Sequence, residues 1–446
     1  MEPTLNAYLN RHLSERLFAV TIEDDAVISP TADFSSNDYM SLTKDPALRQ
    51  IFLERLSLEP NILGATGSRL LDGNTPTHLA LEALLKHFYT GPGAAAVFNS
   101  GYDANLSVFS TLPQKGDAFV FDELIHASIR DGMFASRARN MMFPFSHNSI
   151  TSLEVTLRQV VKDHPHLADG NGTIFIAVES LYSMDGDFAP LSDIVRVMHE
   201  TVPPQSQHLI IDEAHTTGNY GAGGRGYVSA LGLEDYVHTR IHTFSKALAF
   251  GGAVVVTSPL NHKYLMNFAR PMLFATALPI CNIIGIDCIH SWISSERGRE
   301  LADKLNGNAI YFLGLLVRSL HGIPTSLLCP ILTGHTFRAP LPTLSTNSST
   351  STSDLTSSTL YVSPVFPIKS SQPVALAAHL RAKGYWTRAM PFPVVDRGQE
   401  RVRICVHAEH THDDMDQFVG ELVRWARGRM AAAVEVPMDR QMAARL

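Results

Sequence analysis

Cysteine is scarce, with four residues in 446 (Cys281, Cys288, Cys329 and Cys405) and no C-x-x-C spacing. That excludes a disulfide-stapled scaffold and fits reduced thiols inside a cell. Basic blocks are missing too. The formal net charge is -7, so the chain lacks the electrostatic footprint of a nucleic-acid binder. The most apolar long stretch, "ALPICNIIGIDCIHSWI", is broken by Asp287 and His290 and reads as too short and too polar for a membrane span. The N-terminal segment carries Glu2 and Glu15 and no apolar run, which argues against a secretory signal and a mitochondrial presequence. Neither G-x-x-x-x-G-K-[ST] nor H-E-x-x-H occurs. The glycine-rich runs "GATGSRLLDG" and "GAGGRG" could each hold an anion on backbone amides, but neither follows a strand as the dinucleotide fingerprint requires.

What the chain does contain is ordinary globular material, 45% hydrophobic and 18% charged, long enough for two or three domains. Between about residues 94 and 257 short apolar runs recur, each ending in polar residues: "AAAVFNSGY", "AFVFDELIHAS", "TIFIAVESLYSMDGD", "HLIIDEAH", "RIHTFSK" and "AVVVTS". Helical stretches such as "LSDIVRVMHE" separate several of them. This pattern predicts an α/β fold with a mostly parallel sheet covered on both faces. Ligands bind beyond the carboxyl ends of such strands. The polar tails are therefore expected to converge on one crevice: Ser100 to Tyr102, His126, Ser183, Asp212 to His215 and Thr243 to Lys246. After about residue 285 helix-like segments alternate with a few strands, as in a smaller α+β domain. The expected division is an N-terminal segment 1–45, a large domain 46–284 and a C-terminal domain 285–446. The last carries a Ser/Thr-rich insertion at 344–359, too polar to pack a core.

Two motifs have competing readings. Taken alone, "DEAH" (212–215) also matches the magnesium box of certain helicases, a reading that the absent phosphate loop does not support. "HAEHTH" places His407, His410 and His412 within six residues, but the spacing is not a standard zinc set. A surface loop is expected there, with no metal.

Order raises the signal. Lys246 follows one strand, Asp212 ends an earlier one, and His126 lies upstream of both, which is what pyridoxal phosphate chemistry requires. The lysine needs a depressed pKa to form an imine, a carboxylate keeps the ring nitrogen protonated, and an aromatic ring stacks on the pyridine. Backbone amides and hydroxyls hold the phosphate.

With "DFSSNDYMSL", "NSGYDAN", "FDELIHASIRDG", "ESLYSMDGDFAPL", "DEAHTTGNYGAGGRG", "HTFSKA" and "FATALP" occurring in that order, the sequence resembles the α-oxoamine synthase family of pyridoxal-phosphate enzymes. The resemblance runs from about residue 33 to 290 and resumes, more loosely, from about 360 to 415. It implies the aminotransferase-like fold type I, with a seven-stranded sheet in the large domain, and a homodimer with shared sites. Lys246 matches the lysine that carries the cofactor, Asp212 the partner of its ring nitrogen, His215 the partner of its phenolic oxygen and His126 the stacked ring. Gly101 and Tyr102 match the phosphate-side turn, and Ser183 and Thr243 match hydroxyls near ring and phosphate. Thr276 matches a residue reaching the neighbouring subunit's phosphate, while Asn37 and Arg403 match groups near the substrate carboxylate. The implied reaction is a decarboxylating condensation of an amino acid with an acyl-CoA, nearest to members that join L-alanine to a pimeloyl thioester. Glycine or serine with another acyl chain is the alternative, and a cofactor-free silent subunit is disfavoured by the retained Lys246, Asp212, His126 and His215. Three positions depart from the pattern: Ser245 stands where many members have glycine, and Pro391 and Val394 stand where bacterial members have Arg and Thr. The ending Ala444-Arg445-Leu446 is similar to a peroxisomal address, so a peroxisomal import receptor is an expected partner.

Overall fold

The computed structural model describes residues 5–9, 32–90, 93–340 and 358–434. The ending at 444–446 and residues 344–357 of the Ser/Thr-rich stretch lie outside the described residues.

The large sheet is built from β1 (Ala94–Phe98), β2 (Ala118–Asp122), β3 (Met142–Phe145), β4 (Ile174–Glu179), β5 (Gln207–Asp212), β6 (Thr239–Thr243) and β7 (Ala253–Thr257). Their spatial order is β1-β7-β6-β5-β4-β2-β3. Only β7 runs against its neighbours, so the sheet is seven-stranded and mostly parallel, as expected. All of β2, β4, β6 and β7 is buried, because helices cover both faces and each apolar run has a core on either side. Alternation within a run assigns the sides. Ile174, Ile176 and Val178 pack with Leu153, Leu157 and Ile194, from α1 (Ile150–Asp163) and α2 (Leu191–Thr201). Phe175 and Ala177 point the other way, toward Val108 and Ile129. The strand period of two thus decides which helix each side chain meets.

The smaller sheet is antiparallel, ordered Arg388–Met390, Arg401–Cys405, Val365–Lys369 and Cys329–Pro330. Beside it, Thr336–Pro340 pairs antiparallel with Ser358–Val362, so Ser358 and Thr359, the last two residues of the expected 344–359 insertion, belong to a paired strand. The apolar run ending in "IHSWI" forms the helix Ile280–Ile293, most of it buried. No helix among the described residues is long and apolar enough to cross a membrane.

One expectation is overturned. His407 and His410 are not in a surface loop but buried, at 2% and 3% exposure. His407 Nε2 meets the Ser36 carbonyl at 2.9 Å and His410 Nε2 the Asp33 carbonyl at 2.8 Å. These rings satisfy backbone carbonyls that the 33–36 segment would otherwise bury unpaired. Only His412 keeps to the margin, stacked on Tyr311 at 3.8 Å. No metal-holding cluster occurs among the described residues, and all four cysteines are free.

The amides that meet an acid here come just after the run "GAGGRG", and the acid is internal. The amides of Tyr227 and Val228 donate to the buried Glu213 carboxylate at 2.5 and 3.2 Å. A side chain at Gly226, where φ is +103°, would strike that carboxylate.

Candidate active site

Lys246 sits in a turn that β6 and β7 force on the chain. The amides of Phe244 and Phe250 donate to Gly252 and Phe244, both at 2.9 Å, and Gly252 takes the φ of +123° that lets β7 return beside the lysine. Its Nζ lies 2.9 Å from His215 Nε2. Burial lowers the Lys246 pKa to about 8, against the pull of Asp212 and Glu179. At pH 7.5 roughly a quarter of the amine is then neutral, against roughly a thousandth at the ordinary value. The turn therefore makes a usable nucleophile.

Asp212 ends β5 and is 4% exposed. The Asn105 amide donates to Oδ2 at 2.7 Å and the Ala214 N–H to Oδ1 at 2.9 Å, so the carboxylate is aimed from both sides. In the adjacent strand Glu179 stands in register with it, and burial, reinforced by Asp212, pushes the Glu179 carboxyl well up. Two carboxyls side by side in a dry sheet cannot both carry charge cheaply.

His126 heads the helix Ala127–Ala135 and leaves its ring open to the crevice. The Ser128 backbone N–H donates to Nδ1 at 3.2 Å, and Ser128 Oγ lies 2.7 Å from the same nitrogen. That places the hydrogen of the neutral ring on Nε2. Asn105 also donates to Ser128 Oγ, at 3.0 Å, so one amide aligns both the ring and the carboxylate.

On the other side His215 Nδ1 lies 2.7 Å from the Tyr39 hydroxyl, and Arg403 Nη2 donates to Tyr39 at 3.2 Å and to Asn37 Oδ1 at 2.9 Å. Arg403 Nε donates to the Ser183 carbonyl at 2.6 Å, so Ser183 enters through its backbone. Lys246, Ser245 and Asn37 line a cavity of about 420 Å³.

Gly101 begins the helix Gly101–Thr111, capped by Ser100. A Cβ there would lie 3.0 Å from Thr243 Oγ1, so glycine lets the helix N-terminus close on that hydroxyl without crowding. Ser245 Oγ lies 3.2 Å from Thr243 Oγ1, so the departure from glycine adds a second hydroxyl there. Tyr102 is exposed and bonds Asp131. Thr276 is not joined to the cluster by a side-chain bond. It stands exposed at the rim, bridged to Ser68, its carbonyl accepting from Asn99.

Pyridoxal phosphate fits this donor set: an amine for its aldehyde, a carboxylate for its ring nitrogen, a flat imidazole for its face, and a helix N-terminus with two hydroxyls for its phosphate. Tyr39 and Asn105 were missed as site residues. Tyr39 lay within the quoted "NDYMSL" motif but reads as a core aromatic, while Asn105 had no signal beyond its place in "NSGYDAN".

The model of aminotransferase class I and II matches residues 29–422. The chain belongs to that family. Within it the 8-amino-7-oxononanoate synthase of Emericella nidulans is 38% identical over 89% of this chain and 90% of that protein. The aminoacyl transferase sphA of Aspergillus fumigatus is 32% identical, covering 88% and 80%. An SPT structure with PLP superposes with a TM-score of 0.70 at 26% identity, covering 89% of this chain and 87% of that one. This family member is a PLP-dependent acyltransferase of the α-oxoamine synthase type, and its cofactor is pyridoxal 5'-phosphate.

The loop Ser183–Asp187 ties the two sheets together. Besides Arg403 on Ser183, Arg401 Nη1 donates to the Met184 carbonyl at 2.9 Å and to Asp185 at 2.6 Å. From the other flank His147 bridges Asp122 at 2.9 Å and Asp187 at 3.0 Å. Burial opposes the charge on His147, but bonds to the two carboxylates outweigh it and raise its pKa to about 10. Its folded pKa exceeds the unfolded 6.5, so the contribution to stability is complete below about pH 6.5 and is lost as pH rises through 10. Denaturant midpoints of wild type and His147→Gln are therefore expected to differ most near pH 6 and to converge by pH 10 to 11.

Proposed function

We propose that the enzyme condenses L-alanine with pimeloyl-CoA, releasing coenzyme A and carbon dioxide to give 8-amino-7-oxononanoate. The chemistry is carried by one observation: the Lys246 amine sits against a neutral His215, beside a cavity reached by Asn37 and close to Arg403. The choice of substrates rests on the identity to the Emericella nidulans synthase.

Bound pyridoxal phosphate supplies an electron sink for the bond pair left at the amino acid's Cα. Asp212, held by Asn105, would keep a proton on the ring nitrogen, and His126 would cover the ring. Arg403 and Asn37 hold the amino-acid carboxylate. Once freed by the substrate amine, Lys246 would take the Cα proton as general base, and burial raises the neutral fraction available for that step. Gly101, Tyr102, Thr243 and Ser183 would flank the cofactor, and the exposed Thr276 would reach the site of a second copy in a homodimer.

A second reading keeps the cofactor and changes the substrates to serine or glycine with a longer apolar chain. It is favoured by the loop at 391–394, where Phe392 and Val394 are about half exposed and Pro391 and Val394 stand in place of polar groups. Steady-state assays with alanine, serine and glycine, each against pimeloyl-, acetyl- and palmitoyl-CoA, separate the two. The first reading expects kcat/KM for alanine with pimeloyl-CoA to exceed every other pair at least about tenfold, the lower end of the discrimination typical of a missing or added apolar group. Preference for serine with palmitoyl-CoA would replace it.

A further inference from the structure

Tyr39 is fully buried, and burial raises its pKa, so the phenol keeps its one hydrogen at neutral pH. Two acceptors compete for it: Asn37 Oδ1 at 3.0 Å and His215 Nδ1 at 2.7 Å. Arg403 can only donate, so its Nη2 supplies hydrogens to both Tyr39 and Asn37. That fixes Asn37 with its oxygen inward.

The two settings of the phenol have different consequences at Lys246. When Tyr39 donates to Asn37, its oxygen can only accept from His215. Nδ1 then carries the hydrogen and a bare Nε2 faces the Lys246 nitrogen, 2.9 Å away. When Tyr39 turns its hydrogen to Nδ1, the imidazole carries its own on Nε2 and donates toward Lys246. The first setting favours a protonated nitrogen at Lys246 and the second a neutral one. We propose that Tyr39 is a positioning residue that couples the Asn37–Arg403 pair to the protonation of Lys246 by setting the tautomer of His215. A carboxylate drawn to Arg403 and Asn37 competes for the same donors and so turns the phenol. The inference rests on the placement of Asn37 and Arg403 at a carboxylate site, and not on which acyl chain is used.

The test uses the full-length enzyme loaded with pyridoxal phosphate and no acyl thioester, so it stands apart from substrate choice. Its visible absorbance is titrated from pH 6 to 10 with and without propionate, and histidine side-chain ¹⁵N spectra are recorded on the same samples. Propionate is expected to shift the wild-type midpoint by about one unit and to change the His215 tautomer. Tyr39→Phe, which keeps the buried ring, is expected to lose both responses. Asn37→Ala leaves the phenol a single acceptor, and His215 is expected to stay in the Nε2–H tautomer with or without propionate, so the question remains decidable if Tyr39→Phe fails to fold. Unchanged propionate responses in the variants, or a wild-type enzyme indifferent to propionate, would overturn the coupling.

Discussion

Lys246→Ala is expected to reduce kcat by about 10,000-fold or more and to abolish the lysine-dependent visible band of the bound cofactor. General base catalysis alone is worth about 100- to 10,000-fold, and this residue also supplies the nucleophile that holds the cofactor between turnovers. No neighbour can replace it. Burial keeps His215 well below its ordinary pKa, and the Glu179 carboxyl is pushed up toward its neutral form. Added ethylamine should restore a small part of the rate. Persistence of the band in Lys246→Ala would overturn the assignment of this lysine. The protein need not unfold, because the side chain is not packed into the core and the turn is held by the amides of Phe244 and Phe250.

Asp212→Asn has the second-largest expected effect, a fall in kcat of about 100- to 1,000-fold, the usual cost of removing one preorganised electrostatic contact to developing charge. The amide keeps the shape and loses the charge. It also turns the bond from Asn105, now 2.7 Å long, into a contact between two amides that must flip to remain paired. KM for the amino acid should change much less, since Asn37 and Arg403 lie on the other side of His215. The split between kcat and KM is the check: a loss expressed only in KM would place Asp212 in substrate binding and not opposite the ring nitrogen.

The strand ends were legible in the sequence because apolar runs terminating in His, Asp and Lys leave little else for those residues to do in a sheet covered on both faces. Lys246, Asp212 and His126 come from three such ends or the loops just after them. Tyr39 was not legible as a site residue: an aromatic beside "FSSND" reads as core, and its hydroxyl gains meaning only when Arg403 and His215 arrive from far along the chain. Asn105 lies one helical turn inside a helix, where a polar residue reads as solvated. His407 and His410 were misread for the opposite reason, since polar letters at a loop suggest exposure until the carbonyls of 33 and 36 are brought against them.

The grip on the Ser183–Asp187 loop constrains how the enzyme could admit its substrates. Arg401 and Arg403 project from one strand onto three consecutive residues of that loop, and His147 pins its far end to the large sheet. A swing of the smaller sheet away from the larger would have to break several charge-assisted bonds at once, including the one that orients Arg403. The cavity itself opens between the N-terminal 33–44 stretch and the turn after Lys246. On its outer side the exposed ion pair of Lys44 with Glu409 ties that stretch to the smaller domain. The carboxylate end of the crevice is thus a fixed jaw, and Asn37 and Tyr39 belong to it through their bonds with Arg403.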